Sequence, residues 1–206
     1  MVQIVQTVLV FFAPGFEEVE ALTPVDYLRR AGIDVITAAL GKERLVTGSH
    51  DIPVMADTCL PDLVKEDKLD IFHWDGVILP GGMPGSSNLA ASQEIGAFLK
   101  DMVREEKWVC AICAAPALVL APLGLLEGRE FTCFPGLEEK VTGAKWREDR
   151  VVVDINPKPK KGSAAGGLIT SRGAGTAGEF SVAIISALLD KVKGKEIGEK
   201  VLLRMN

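Results

Sequence analysis

One apolar run decides how this chain folds: WVCAICAAPALVL, residues 108–120. The residues before Cys113 have a pattern typical of a buried strand, and those after it a pattern typical of a helix. A side chain at such a junction leaves the sheet and faces a helix N-terminus, where unpaired N–H groups and the helix dipole favour a thiolate over a thiol. We therefore predict that Cys113 lies at a strand-to-helix elbow and is the residue best placed to do chemistry.

The same alternation extends outward from this run and predicts a mostly parallel α/β fold. Strands are predicted at Thr7–Ala13, Asp34–Ala39, Gly76–Leu79, Val109–Cys113, Phe131–Phe134, Val151–Ile155 and Leu168–Ser171, with a small antiparallel pair at Leu45–Thr47 and Ile52–Ala56. Helices are predicted at Glu17–Ala31, Ser92–Glu106, Ala114–Leu120, Gly136–Thr142, Thr176–Leu189 and Val192–Met205. No internal repeat or interdomain linker interrupts this pattern, so we expect residues 1–206 to form a single domain.

The composition is typical of a soluble globular protein. Apolar residues make up 48% of the 206 residues and charged residues 25%, with a formal net charge of −5. This charge argues against a nucleic acid or an anionic membrane surface as a partner. The four cysteines lack the spacing of a secreted disulfide framework, so we expect a reducing, cytoplasmic location.

Two uncharged stretches need to be distinguished from targeting or membrane segments. Residues Met1–Phe16 have no basic region at their start, and they are predicted to contain the first strand. Residues Trp108–Leu126 are long enough to cross a bilayer, but Pro116, Pro122 and Gly124 interrupt them. We therefore expect a buried strand, turn and helix here, and no membrane partner.

Several kinds of cysteine site can be weighed against the spacing around Cys113. Cys110 and Cys113 match a CxxC pattern, but an extended strand would separate them by roughly 10 Å, beyond disulfide reach. Neither His50 nor His73 adjoins Cys113, so a Cys–His dyad requires His50 to approach from a distance or across a dimer. That alternative stays open. A zinc site lacks a second cysteine pair and any HxxxH-type spacing, and we expect no metal.

Glu20 is the acid best placed to partner a sulfur. The segment PGFEEVE, residues 14–20, follows the first strand and opens a helix, at the sheet edge where open α/β folds place their sites. The two acids before Glu20 are expected to interact with the helix dipole. Glu20 instead shares a helical face of little polarity with Pro24 and Tyr27. Such a position predicts a raised pKa and a proton shared with a nearby sulfur.

Two glycine-containing segments follow other predicted strands. In LPGGMPG, residues 79–85, paired glycines would let backbone N–H groups face a ligand as in an oxyanion hole, although a plain tight turn explains them equally well. The segment SRGAGT, residues 171–176, resembles a phosphate-binding loop before a helix but lacks the full GxGxxG or P-loop pattern.

These pieces, in this order, resemble the ThiJ/PfpI superfamily and, within it, the parkinsonism-associated deglycase (DJ-one) branch. The matching segments are PGFEEVE (14–20), LRRAG (28–32), LPGG (79–82), AICAAP (111–116) and TSRGAGT (170–176). The resemblance implies a flavodoxin-like α/β sandwich that forms a homodimer. It also implies cofactor-free glyoxalase activity, which converts 2-oxoaldehydes such as methylglyoxal to hydroxy acids. Deglycation of glycated substrates, oxidative-stress sensing and chaperone-like behaviour are further roles associated with the branch.

The resemblance also implies roles for particular residues. Cys113 falls on the elbow nucleophile and Glu20 on the buried, protonated glutamate. Gly82 and Ala114 match the positions whose backbone N–H groups face the sulfur. Further expected pocket residues are Gly81, His50, Arg30, Ser171, Arg172, Gly173 and Ala174.

Three departures from the branch pattern qualify this expectation. Members often have a histidine near the elbow in a Thr-His-Pro context, whereas this chain has CFP at residues 133–135, with Phe134 in the histidine's place. Ala114 stands where the protease-like branch has histidine, which argues against proteolysis. The lysine-containing segment 156–167 looks like an inserted surface loop.

Overall fold

The structure is a computed structural model that describes residues 5–156 and 166–204. Its strands are β1 (Thr7–Phe12), β2 (Asp34–Ala39), β3 (Leu45–Thr47), β4 (Pro53–Met55), β5 (Thr58–Cys59), β6 (Gly76–Leu79), β7 (Trp108–Ile112), β8 (Glu130–Phe131), β9 (Lys145–Trp146), β10 (Val151–Ile155) and β11 (Gly167–Ser171). Its α-helices are α1 (Glu18–Arg30), α2 (Leu60–Lys65), α3 (Gly85–Ala91), α4 (Gln93–Arg104), α5 (Ala177–Leu188) and α6 (Lys191–Lys200). Shorter helical turns span Ile71–His73, Pro116–Leu120, Glu138–Lys140 and Ala174–Thr176.

Seven of these strands form the central sheet, in the order β10-β11-β7-β6-β1-β2-β5. All neighbours in it are parallel except β10, which pairs antiparallel with β11. The mostly parallel α/β fold expected from the sequence is therefore confirmed. After β1 the chain continues to β2 on one side, while β6 lies on the other side. The carboxyl ends of β1 and β6 thus flank a topological switch point, where open α/β sheets place their sites.

Both faces of the sheet are buried. Along β1, Val8, Val10 and Phe12 enter a core with α1, α5 and α6, while Leu9 and Phe11 enter a second core that includes the apolar side of α4. Burial on both faces explains why the central strands have near-continuous apolar sequences.

Helix α1 carries Glu20, and its ends are fixed by local contacts. Acidic residues occupy its first turn, where they interact favourably with the helix dipole. At its other end, Gly32 adopts a φ of 84° and its N–H donates to the Arg29 carbonyl, while the Ile33 N–H donates to Leu28. This left-handed glycine ends the helix in the usual way and returns the chain to β2.

Four predicted elements differ from the structure, and one of them is the C-terminal helix predicted at Val192–Met205, which ends at Lys200. The predicted helix Gly136–Thr142 is wrong: only Glu138–Lys140 form a helical turn, because Gly136 has a φ of 88° and its N–H bonds to the Glu138 carboxylate. The predicted strand 131–134 ends at Phe131. After the elbow the helical segment is a short π-helical turn that begins only at Pro116.

Two short helices, α2 and α3, were not predicted. The sequence of α3, GSSNLAA, is rich in weak helix formers, and burial of Leu89 and Ser86 fixes it against the rest of the protein. Most of the predicted loop 156–167 lies outside the described residues, as does Met205 at the end of the last predicted helix. Of the helices in the described ranges, none is long and apolar enough to cross a membrane.

Candidate active site

Cys113 follows the last residue of β7 and is fixed there by its backbone. Its N–H donates to the carbonyl oxygen of Ser171 at 2.9 Å, and its own carbonyl oxygen accepts the N–H of Phe134 at 2.8 Å. Its φ of 63° lies in the left-handed region, which costs a non-glycine residue about 1–3 kcal/mol. Contacts with two other segments therefore stabilise a strained elbow, and the cysteine side chain there is half-buried.

Glu20 lies in the first turn of α1 and faces this cysteine. Only 1% of the residue is exposed, and its Oε2 accepts the N–H of Gly81 at 2.9 Å. Its carboxyl also lies within hydrogen-bonding reach of the Cys113 side chain. Burial raises the pKa of Glu20 from 4.5 to about 7, because a buried carboxylate loses its hydration. Glu20 can therefore both hold and release a proton near neutral pH.

Gly81 allows the acid and the sulfur to approach each other. A Cβ atom at this position would lie 2.5 Å from Glu20 Oε2, 2.6 Å from Cys113 Cβ and 3.0 Å from Cys113 Sγ. No side chain fits at those distances. The absence of a side chain at Gly81 therefore lets the two reactive groups lie in contact with each other.

Two backbone N–H groups, from Gly82 and Ala114, hydrogen-bond the Cys113 sulfur and act to lower the pKa of its thiol. Burial, together with the nearby Glu20 carboxylate, outweighs them and raises the pKa of Cys113 to about 12. The expectation of a low-pKa thiolate in the resting protein is therefore wrong. The helix dipole is weak here because the turn that follows is short and begins only at Pro116.

The loop after β11 closes another side of the site. The Ala174 backbone N–H hydrogen-bonds the Glu20 carboxylate. A Cβ atom at Gly173 would lie 3.8 Å from Glu20 Oε1. The Ser171 hydroxyl contacts the Arg150 carbonyl at 2.9 Å and the Thr176 hydroxyl at 2.6 Å. Ser171 thus shapes the loop through its side chain and fixes Cys113 through its carbonyl.

A cavity of about 330 Å³ opens next to this loop. Its lining residues are Phe134, Pro135, Arg150, Arg172, Gly173, Ala174, Gly175 and Thr176. Of these, Arg172, Gly173 and Ala174 were predicted as pocket residues, whereas Phe134, Pro135, Arg150, Gly175 and Thr176 were not. The antiparallel register of β10 and β11 pairs Val151 with Ser171, which brings Arg150 beside the 171–176 loop. A prediction that β10 and β11 pair as a hairpin would have placed Arg150 beside this loop.

Two expected pocket residues lie elsewhere in the chain. Arg30 is in the last turn of α1, about 15 Å along the helix from Glu20, and its Nε donates to Asp26 at 2.6 Å. His50 lies between β3 and β4, and its Nδ1 is 3.0 Å from Glu18 Oε2. Within one chain, Arg30 therefore lies away from Glu20 and its cysteine partner, and the contacts found for the His50 side chain are with the acids at the start of α1.

Glu18 fastens the β3–β4 loop to the start of α1. It is 4% exposed, and Oε1 accepts the His50 backbone N–H at 2.8 Å. Burial acts to raise the pKa of Glu18, but the His50 side chain and the backbone N–H groups of the loop lower it to about 2. Glu18 therefore has a structural contact beyond the expected dipole interaction.

Among the described residues, Glu17, Glu18 and His50 place one possible ligand atom each within 4.8 Å of the others. This set offers the oxygen and nitrogen donors that a divalent cation accepts. Both carboxylates already have hydrogen-bond partners, because Ser49 Oγ donates to Glu17 at 3.0 Å and His50 Nδ1 pairs with Glu18.

Comparison with known proteins gives a consistent result. The family model described as "DJ-1/PfpI family" matches residues 6–187. Protein dj-1beta of Drosophila melanogaster is 37% identical over 98% of this chain and 99% of its own length. The glutathione-independent glyoxalase DJR-1.2 of Caenorhabditis elegans is 35% identical over 84% of this chain and 82% of its own.

Other relatives are longer. Protein DJ-1 homolog B of Arabidopsis thaliana is 37% identical over 95% of this chain. The chain spans only 41% of the length of homolog B and 49% of the length of homolog A. Among solved structures, oxidised Toxoplasma gondii DJ-1 superposes with a TM-score of 0.86 at 31% identity, covering 98% of this chain and 100% of that one. A DJ-1 superfamily protein from Salmonella typhimurium gives 0.85 at 36%, with the same coverage. The chain therefore belongs to the DJ-1/PfpI family.

Proposed function

We propose that the protein is a cofactor-independent glyoxalase that converts 2-oxoaldehydes such as methylglyoxal to hydroxy acids. The observation that carries this proposal is the buried Glu20, whose pKa is near neutrality and whose carboxyl lies within hydrogen-bonding reach of the Cys113 side chain. An acid and a nucleophile in this arrangement suit addition to an aldehyde followed by proton transfer between adjacent carbons. A relative named as a glutathione-independent glyoxalase supports it.

In the first step, Cys113 Sγ bonds the aldehyde carbon while Glu20 accepts the thiol proton. Although the resting thiol has a high pKa, protonation of Glu20 removes the negative charge that opposes thiolate formation. The aldehyde oxygen becomes an alkoxide, which the N–H groups of Gly82 and Ala114 would stabilise. One such donor is worth about 3–4 kcal/mol in well-studied enzymes. Proton return to the alkoxide gives a hemithioacetal.

In the second step, Glu20 removes the proton from the former aldehyde carbon and returns it to the neighbouring carbon. The enediol formed between these transfers becomes a thioester of the hydroxy acid on Cys113. Water then hydrolyses the thioester, releasing the hydroxy acid and restoring the thiol. No external oxidant or reductant is consumed, because one carbon is oxidised as its neighbour is reduced.

A glutathione-free assay with methylglyoxal tests the proposal. The wild type is expected to form lactate, and Cys113→Ala and Glu20→Ala are expected to lose turnover. Circular dichroism verifies that each variant is folded. Undiminished turnover in Cys113→Ala would contradict the assignment of Cys113 as the nucleophile. The same chemistry run on glycated amines would make the protein a deglycase, which amine release from glycated substrates would measure.

A redox-sensing role is the second candidate. Cys113 is half-buried, whereas Cys59, Cys110 and Cys133 are buried. The N–H groups beside Cys113 would also hydrogen-bond sulfinate oxygens, and a relative has been solved in an oxidised form. Mass spectrometry after mild peroxide is expected to find two added oxygens on Cys113 alone. Uniform oxidation of all four cysteines would contradict it.

We also propose that the protein is a homodimer in a reducing compartment, the cytoplasm. Glu18 joins helix α1 to the β3–β4 hairpin. Both elements carry exposed apolar side chains, namely Val19, Leu22, Leu45, Ile52 and Met55. Such a patch suits a second copy of the chain. Sedimentation is expected to give twice the chain mass, and Leu22→Glu is expected to give the monomer.

A further inference from the structure

Phe134 is an exposed aromatic ring held beside the candidate active site. Six of the eight phenylalanines are buried, whereas Phe134 is 50% exposed and Phe72, near the amino end of β6, is 79% exposed. A backbone hydrogen bond holds Phe134 in this position, because its N–H donates to the Cys113 carbonyl at 2.8 Å. This bond fixes the backbone of Phe134 beside that of Cys113, and the residue lines the cavity described above.

The Phe134 ring and the acid both border the position that a side chain at Gly173 would occupy. A Cβ atom at Gly173 would lie 3.8 Å from Phe134 Cδ2 and 3.8 Å from Glu20 Oε1, which is ordinary contact distance. The ring edge and the carboxyl oxygen are therefore no more than twice that distance apart. Because Gly173 has no side chain, the position between them is left for part of a ligand.

The charges around the cavity are balanced. The Arg150 guanidinium pairs with Glu179 at 2.7 Å, and Arg172 donates to the Glu148 carbonyl at 2.9 Å with that carboxylate 4.0 Å away. Two cations, each with an acidic neighbour, do not call for an anionic substrate. Both arginines line the cavity, and an arginine can also interact favourably with an aromatic ring.

We propose that Phe134 is a specificity-determining residue and that the preferred substrates are uncharged 2-oxoaldehydes with an aromatic substituent, the arylglyoxals. This inference rests on the glyoxalase function proposed above. Once Sγ has bonded the aldehyde carbon, the substituent's ring centre lies about 5 Å from the sulfur in an extended adduct. A ring at that distance from the sulfur can occupy the region that Phe134 borders, and aromatic rings pair when their centres are about 4.5–7 Å apart. A methyl substituent has no ring to pair with Phe134.

Steady-state kinetics with phenylglyoxal and methylglyoxal test this specificity. The measured quantity is the ratio of kcat/KM for phenylglyoxal to that for methylglyoxal, in which changes common to both reactions cancel. Phe134→Ala is expected to lower the ratio about tenfold, equivalent to about 1.4 kcal/mol. Phe134→Leu, which keeps apolar bulk without the ring, is expected to give an intermediate ratio. Phe72→Ala removes the other exposed phenylalanine and is expected to leave the ratio unchanged. An unchanged ratio in Phe134→Ala overturns the proposal.

A binding measurement separates this inference from the glyoxalase proposal. The probes are 2-hydroxyacetophenone and hydroxyacetone, which lack the aldehyde that Cys113 attacks, with affinities taken from NMR titration of the full chain. The aromatic probe is expected to bind at least tenfold more tightly, and Phe134→Ala is expected to abolish the difference. If this holds while the wild type turns over neither aldehyde, the glyoxalase proposal fails and the aromatic pocket stands. Equal affinities for the two probes overturn the pocket whatever the turnover.

Discussion

Burial of Glu20 makes the stability of the folded protein depend on pH in an unusual direction. Its pKa rises from the ordinary value of 4.5 to about 7, so the folded state binds more protons than the unfolded chain between these pH values. At about 1.36 kcal/mol per pKa unit, the shift corresponds to about 3 kcal/mol. This contribution is fully present below pH 4.5 and is lost as the pH rises through 7. Most carboxylates that pair with cations behave in the opposite way.

The substitution Glu20→Gln removes this dependence because the amide keeps the shape of the side chain and has no acidic proton. The free energy of unfolding of the variant, relative to wild type, is expected to rise by about 3 kcal/mol between pH 4.5 and 8. In the wild type Cys113 does not titrate in this window, because its pKa is raised to about 12, and burial, the largest cause of that rise, is also present in the variant.

Urea unfolding of both proteins at half-unit pH intervals measures the difference, since carboxylates common to both cancel. The exposed Glu199 provides a matched control, because Glu199→Gln makes the same chemical change on the surface and is expected to cost less than about 1 kcal/mol. A difference between Glu20→Gln and wild type that stays constant from pH 4.5 to 8 would refute the burial argument.

Three further predictions concern other contacts. Gly81→Ala would place a Cβ 2.5 Å from Glu20 Oε2, so methylglyoxal turnover is expected to fall at least about 10²-fold with little change in the circular dichroism spectrum; near-normal turnover contradicts the close packing. Glu18→Gln is expected to lower the free energy of unfolding by about 3 kcal/mol at pH 7, because hydrogen bonds from His50 and its loop lower the pKa of Glu18 to about 2. In the wild type this stabilisation is present above pH 4.5 and is lost as the pH falls through 2, so urea unfolding at pH 7 and pH 3 should show the variant's deficit shrinking in acid. Leu99→Ala, at a buried position on α4, is expected to cost about 2–5 kcal/mol in urea unfolding while KM for methylglyoxal is unchanged; a cost under 1 kcal/mol would contradict its core role.

Sequence patterns predict the central strands well because burial on both faces leaves little ambiguity. The bounds of β2 and β6 agree with the predicted ones, and β1 differs only at its last residue. Elements stabilised by distant contacts are harder to predict. Helix α3 has weak local propensity and depends on burial of Leu89, whereas the predicted helix 136–142 has good local propensity but is interrupted by Gly136.

Some features of the candidate site can likewise be predicted from local sequence, whereas others depend on distant contacts. The polarity pattern of α1 predicts a buried Glu20, and the strand-to-helix junction predicts the elbow at Cys113. The pKa of the thiol depends on how many atoms cover it, which no local pattern contains. The contact between Glu18 and His50 joins residues 32 positions apart, and it requires the register of the β3–β4 hairpin. Arg150 is missed for the same reason.

The site is assembled from four strand ends that are far apart in the chain. Glu20 follows β1, Gly81 follows β6, Cys113 follows β7 and Ala174 follows β11. None of these segments contains both the acid and the sulfur, so the reactive pair forms only when β1 and β7 are in place with β6 between them. In the unfolded chain Cys113 is an ordinary thiol and Glu20 an ordinary acid. Catalytic activity should therefore be lost at the denaturant concentration at which these central strands separate, which makes activity a direct measure of the fraction of molecules whose central strands are assembled.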